Sequence, residues 1–330
     1  MKLRNCIAIA TLSLWMLLGC TSTPTPVPAS TTNAPAVSAG HITYRLGDHL
    51  YRLTAQEGAT PEDVSARLDA LSAGTDDEWL NISPDGAWLL VSTDRFDPEC
   101  AGWACLALVK SDFSGYEVVR ASGTPLHPGF SAVASGGALI VYAEEGDPHA
   151  QDLWAIRRDG SGWGTPVLLT GDSPYDYNDQ PALAAHGDQV VFDCGPTPYG
   201  QEGTAICEVN SDGSGFRVVL RPNDMGGTLK NSLRHPDYAP DGSIVFEADW
   251  NGEQIWRLAA GAATPQTINT SLTNDNSPCL LPDGSVVSLW LNRPGSNGEH
   301  EIKVMVADGN AYWMALTGLD VMDIGLGCGE

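Results

Sequence analysis

The sequence predicts an all-β fold, a six-bladed β-propeller closed by strands from both ends of the chain. Three observations predict it. From His41 onward one phrase of short β-rich segments recurs five times, at a period of about 40 to 55 residues. Almost no apolar spacing of the helical kind is present, apart from Glu62 to Leu71. The segments before the first copy and after the last are each incomplete, and together they make one more copy.

Each copy opens on a segment that ends in a corner: Pro84-Asp85-Gly86, Ser135-Gly136-Gly137, His186-Gly187-Asp188, Pro240-Asp241-Gly242 and Pro282-Asp283-Gly284. Gly and Asp tolerate the left-handed backbone of a tight hairpin, so these are turns between paired strands. An apolar β run follows each corner: Trp88 to Ser92, Ala138 to Tyr142, Gln189 to Phe192, Ser243 to Phe246 and Ser285 to Leu289. The third strands are Ala104 to Val109, Leu153 to Ile156, Ala205 to Val209, Gln254 to Leu258 and Glu301 to Val306. Second corners at Asp112 to Gly115, Asp159 to Gly162, Asp212 to Gly215 and Asp308 to Asn310 lead to a last strand. The copies span 76–122, 126–170, 176–220, 232–270 and 274–317. The leading part holds Ile42 to Leu46, His49 to Leu53 and a later strand or short helix, but no initial strand; the tail, Asp320 to Glu330, is an initial strand with nothing after it. Joining the two removes the open edges that would invite aggregation.

Composition agrees with a turn-rich, packed chain. Of 330 residues 36 are Gly and 22 Pro, yet 42% are hydrophobic, enough to bury a core. The 17 Lys and Arg against 41 Asp and Glu give a net charge of −24. That balance argues against nucleic acid, since no basic stripe exists to displace phosphate counterions.

The first forty residues read as an address. Lys2 and Arg4 precede an apolar run from Cys6 to Leu18, followed by Gly19 and Cys20, the layout of a secretory signal. The run is shorter than the roughly 20 residues a spanning helix needs. Leu17-Leu18-Gly19-Cys20 resembles the lipobox of bacterial lipoproteins. That resemblance implies a signal peptide over 1–19, lipidation of Cys20 and acylation of the new N-terminus; an ordinary secreted chain or an uncleaved anchor are the alternatives. Residues 21–40, TSTPTPVPASTTNAPAVSAG, carry no charge and read as an extended tether. The expected arrangement is therefore a propeller over 41–330 held to the extracytoplasmic or periplasmic side of a membrane by acyl chains.

Ile82-Ser83-Pro84-Asp85-Gly86 and Asp212-Gly213-Ser214-Gly215 resemble the repeat turns of the TolB-like family of six-bladed bacterial envelope propellers. The corners at Ala134 to Gly137 and Ala184 to Asp188 are degenerate versions. The resemblance covers 41–330 and implies the fold; it says little about function, because such propellers serve as scaffolds, sugar binders, lyases and peptidase lids.

Cys6 and Cys20 set aside, six cysteines remain, an even number that suggests disulfides in an exported protein. Cys100 and Cys105 share one loop. Cys194 and Cys207 lie on successive strands. Cys279 and Cys328, both on initial strands, would then staple the closure. Free thiols and a metal site are the other readings, although no C-x-x-C pair is present.

No G-x-S-x-G elbow, phosphate loop, H-E-x-x-H or EF-hand loop occurs, and no catalytic residue is assigned. Residues at the start of the initial strands should form the channel mouth: Asp77 and Glu78, His127, Asn178 and Asp179, Arg234 and His235, Asp275 and Asn276, and Asp323. Among these, His127, His235, Asp179 and Asp275 could hold a divalent metal (Ca, Mn or Zn), as some TolB-like uronate lyases do; the alternative is a solvated funnel. The acidic stretch Asp172 to Asp179 could bind calcium or be a plain turn. Of the tryptophans, Trp103 and Trp163 sit in loops and should be the exposed ones. Two functions follow from these features. One is a monomeric, non-enzymatic envelope lipoprotein that binds a protein, peptide or glycan. The other is a metal-assisted carbohydrate-active enzyme acting at the channel mouth.

Overall fold

The computed structural model describes residues 40–74, 76–144, 151–196, 203–250, 252–268, 274–307, 311–322 and 326–330. The lipobox, Cys20, the tether up to residue 39, Asp323 and the corner at 308–310 lie outside them.

Six antiparallel sheets ring a central channel. Blade 1 is the composite one: its innermost strand is Gly327–Gly329, followed outward by His41–Leu46, His49–Thr54 and Glu62–Asp63. The closure expected from the two incomplete ends is thus made by pairing His41 with Gly329, Ile42 with Cys328 and Thr43 with Gly327. Blades 2 to 6 begin with the inner strands Asp77–Ile82, Pro128–Val133, Tyr177–Leu183, Leu233–Tyr238 and Asn274–Leu280. Their second strands are Trp88–Thr93, Leu139–Glu144, Gln189–Gly195, Ile244–Ala248 and Val286–Leu291. The apolar runs of the sequence are therefore the second strands, where both faces are covered by neighbouring blades and an uninterrupted apolar run is the stable pattern. The helical spacing at 62–71 becomes a single short helix, Val64–Asp69, capped by the Asp63 carboxylate accepting from Ala66 N–H at 2.9 Å.

The core is divided by the blades. Six clusters of buried apolar side chains fill the six seams, for example Leu90, Leu106, Leu108, Ile140 and Ile156 between blades 2 and 3. All three expected disulfides are formed: Cys100–Cys105, Cys194–Cys207 and Cys279–Cys328. The last joins the inner strands of blades 6 and 1, across the closure. Trp103 is 73% exposed, as its loop position suggested. Trp163 is not: Gly162–Trp163 folds back onto Arg158 and Asp159, and the indole lies 4.7 Å under the Arg158 guanidinium. Among the described residues no helix is long and apolar enough to cross a membrane.

Candidate channel site

The inner strands are each interrupted in their first half, and in blades 4 to 6 at the same place. In blades 2 to 6 their pairing with the second strand shifts register, between Asp77 and Trp79, Pro128 and Ser131, Asp179 and Ala182, Arg234 and Asp237, and Asn276 and Cys279. In three consecutive blades the interruption holds a residue before proline with left-handed backbone: Gln180 (φ 52°), His235 (φ 46°) and Ser277 (φ 47°). Proline is tolerated in a strand at such a bulge because it owes no ladder hydrogen bond there. A non-glycine residue in that conformation is strained, and the bulge re-aims its side chain. Gln180, His235 and Ser277 accordingly line the channel, with Asn81, Phe130 and Asp237, around a cavity of about 120 Å³.

A hydrogen-bonded chain links the three strained residues. His235 N–H donates to Gln180 Oε1 at 2.8 Å, and the Gln180 amide nitrogen lies 3.0 Å from His235 Nε2. Glu247 Oε2 is 3.1 Å from His235 Nδ1 and accepts from Ser277 N–H at 3.1 Å. The Gln180 donor on Nε2 places the ring proton on Nδ1, facing the carboxylate. Burial opposes ionisation of Glu247, yet His235 and the Ser277 amide hold its carboxyl below the ordinary range.

Behind this chain lie two further carboxylates. Asp179 and Asp193 are directly opposite each other on the first two strands of blade 4. Asp179 accepts from the Tyr177 hydroxyl at 2.9 Å, while burial pushes its carboxyl up to about 6. Asp193 is 1% exposed, and among the described residues neither of its oxygens has a donor from another residue. Burial first and the Asp179 charge second push it well above the carboxylate range, against the pull of Arg234. Asp237 accepts from Leu280 N–H and Tyr238 N–H at 2.9 and 2.8 Å, bonding blade 5 to blade 6, and burial raises it to about 7.

The residues expected at the mouth thus take different roles. Asp77 is buried beneath the loops, bonded by Arg95 through two 2.9 Å contacts and by the Ser65 and Thr93 hydroxyls; despite burial these hold it below its ordinary range. Asp275 is buried against the Lys303 ammonium and the Ser288 hydroxyl. His127 turns outward, its Nδ1 3.0 Å from the Ala104 carbonyl and beside the Cys100–Cys105 bridge. Arg234 sits on the inner strand opposite Glu247. Asn178 bonds Ser173, Tyr175 and Gln151 and so closes the acidic stretch that precedes it. Asp179 and His235 come close enough to interact, but His127 and Asp275 have other partners. Among the described residues no group of three His, Cys, Asp or Glu side chains is placed to hold a metal, and His127 and Asp275 do not join Asp179 and His235.

Four contributors were missed from sequence: Gln180, Ser277, Asp193 and Glu247. Two signals could have found them. The pairs Gln180-Pro181, His235-Pro236 and Ser277-Pro278 fall at one place in three successive copies, and Val191-Phe192-Asp193 matches Val245-Phe246-Glu247, a carboxylate ending an apolar run.

No protein-family model matches the chain, and no curated protein does. Solved structures match along most of its length. A structure assigned as TolB from Agrobacterium tumefaciens aligns over 86% of this chain and 91% of its own, with a TM-score of 0.55 and 17% identity. TolB from Acinetobacter baumannii aligns over 88% of this chain and 66% of its own, with a TM-score of 0.61 and 12% identity. A hydrazine synthase of Kuenenia stuttgartiensis shares the fold over 89% of this chain, but over only 46% of that one, at 14% identity and a TM-score of 0.58. Identities this low speak for architecture alone. With six sheets, a bulged inner ring and a closure built from both ends, the chain is a six-bladed β-propeller of TolB-like architecture.

Proposed function

We propose that this chain is an exported, lipid-anchored propeller that binds a segment of an envelope protein or peptide at its channel and carries out no reaction there. The observation that supports this reading is the state of three buried carboxylates around the channel. Asp77, Asp275 and Glu247 are each spent on a buried cation or imidazole that holds neighbouring strands together. A catalytic carboxylate needs a path to substrate; these three instead fix a rigid ring whose lining offers Gln180, His235, Ser277, Asn81, the Phe130 ring and the single carboxyl of Asp237, itself bonded to two backbone amides. Three disulfides suit an oxidising compartment. Trp103, on a loop stapled by Cys100–Cys105, adds a rigid exposed anchor of the kind that dominates protein interfaces.

Photo-crosslinking in the native envelope tests the reading, with the reactive group placed at Phe130 or Trp103. A discrete protein adduct from Phe130, competed by the partner's own peptide, is expected. Cleavage of uronic oligosaccharides by the purified protein, lost with EDTA and in His235→Ala, would overturn it in favour of metal-assisted catalysis.

A further inference from the structure

A second cavity, of about 320 Å³, lies among the first corners and adjoins the channel cavity; Pro84, Leu183, Asp237 and Cys328 line both. Its walls are largely apolar. Pro84, Pro240 and Pro282, each the first residue of a Pro-Asp-Gly corner, are joined there by Leu183, Leu280 and Leu281. Asp237 is the one charged side chain common to the two cavities. The outer one adds Asp85 and Glu330, and among the described residues no Lys or Arg lines either.

Where the Asp237 carboxylate lies follows from its partners. An inner strand has a ladder partner on one edge only, so the amides of its other edge point to the axis. Tyr238 N–H, on the inner strand of blade 5, and Leu280 N–H, on that of blade 6, each donate to one oxygen of Asp237, at 2.8 and 2.9 Å. The carboxylate therefore sits on the axial side of both strands, and the residue is partly exposed. A carboxylate offers about four acceptor positions, of which these amides use two. Burial and the two amides account for its titration near 7, with no cation among the causes.

The fold does not require an acid at this place. In the same register blade 4 has Ala182 opposite Val191 and blade 6 has Cys279 opposite Val287, where blade 5 has Asp237 opposite Val245. A carboxylate without a counter-charge, reached through an apolar funnel, selects a ligand with an apolar stem and a cationic tip. Lysine has both. Its methylenes match the prolines and leucines, and its compact ammonium can use single open positions on oxygens that each already hold an amide. The planar fork of arginine needs a carboxylate edge open on both oxygens at once.

We propose that the channel takes up a lysine side chain of its protein or peptide partner from the face of the first corners, with Asp237 as counter-ion of the ammonium. The inference rests on the reading of the channel as a segment-binding site and names the residue that the segment presents.

The test is a titration of the whole protein at pH 8, followed by ligand-detected NMR. The probes are a capped pentapeptide of four glycines around a central lysine, and its norleucine, Nε-acetyl-lysine and arginine versions. The lysine peptide should bind tenfold or more tightly than each of the others. Asp237→Asn should cost it tenfold and erase its advantage over norleucine, whereas Asp112→Asn, an exposed acid on a second corner, should leave its affinity unchanged. Ser135→Trp, on an exposed corner that lines the outer cavity, should abolish binding with the melting temperature unchanged, which keeps the test decisive should Asp237→Asn fold poorly. Equal affinity for the lysine peptide and any other version, a folded Asp237→Asn that keeps the lysine preference, or normal binding by Ser135→Trp overturns the proposal. If the norleucine peptide binds as tightly and Ser135→Trp blocks it, the segment-binding reading stands while the lysine assignment falls. If no version binds at tens of millimolar the assignment also falls, and crosslinking from Phe130 decides the reading of the channel separately.

Discussion

Removing the closure disulfide, by Cys279→Ala with Cys328→Ala, should cost the protein about 4 kcal/mol. The inner strand of blade 1 is only Gly327–Gly329, paired with three residues of the N-terminal strand, whereas the inner strands of blades 2 to 6 run six or seven residues. Cys279–Cys328 therefore supplies much of what holds the last strand in the ring. The bridge closes a loop of 49 residues, for which the chain-entropy relation gives about 4 kcal/mol at 25 °C. Cys100–Cys105 closes five residues, and the same relation gives about 2 kcal/mol. Spread over roughly 290 folded residues, an unfolding entropy near 0.6 kcal/mol/K turns 4 kcal/mol into a melting shift of about 7 °C. Chemical denaturation with the slope checked for constancy measures the loss, and amide exchange locates it. Protection should fall first along 41–54 and 327–329. A loss under about 1 kcal/mol, or a larger loss for the Cys100–Cys105 double variant, would refute the argument that closure is the weak point.

Other expectations follow from the buried charges. Asp77→Ala leaves Arg95 buried with only the half-exposed Asp69 as counter-charge, and should destabilise by about 3 to 5 kcal/mol; Asp77→Leu with Arg95→Met should recover most of it. A double variant as unstable as Asp77→Ala would show that packing, not the stranded charge, sets the cost. Asp237 titrates near 7 in the folded protein, above its unfolded value of about 3.9, so the folded state holds the extra proton. Its contribution is full below about pH 4 and is lost as pH rises through 7; a ¹³C carboxyl titration with a midpoint near 4 would disprove it. Since no described donor set fits a metal, Ca²⁺, Mn²⁺ and Zn²⁺ in excess should leave the melting temperature where EDTA leaves it. A shift lost in His235→Ala would mean that a cation does bind at the channel.

What the sequence made legible was whatever repeats or has one geometric solution. The Asp-Gly corners recur because each hairpin needs the same backbone, and they place all five complete blades. Cys279 and Cys328 could be paired because the other four cysteines had local partners, which left two on initial strands beside the closure. The channel was harder for a physical reason. Asp77 and Asp275 look like mouth carboxylates in a string of letters, and only the third dimension brings Arg95 and Lys303 to them, from loop and strand positions 18 and 28 residues away. His127 was misleading because one residue outside the inner strand its ring points to Ala104 rather than to the axis. Asp193 was hidden by its company, an acid at the end of a run that is otherwise core.

The position of Gly40 has a mechanical consequence. It packs against Leu281, Pro282 and Gly329, so the chain enters the ring on the face of the first corners and continues directly into His41–Leu46. That strand lies between Gly327–Gly329 and His49–Thr54, with six residue pairs on the latter side. A pull from the preceding segment along the strand axis loads those pairs together, in shear, instead of peeling them one at a time. Force that reaches the terminal strand passes through Cys328 into Cys279, and so from blade 1 into blade 6. The same stitch that closes the ring thus shares a load applied at Gly40 between two blades.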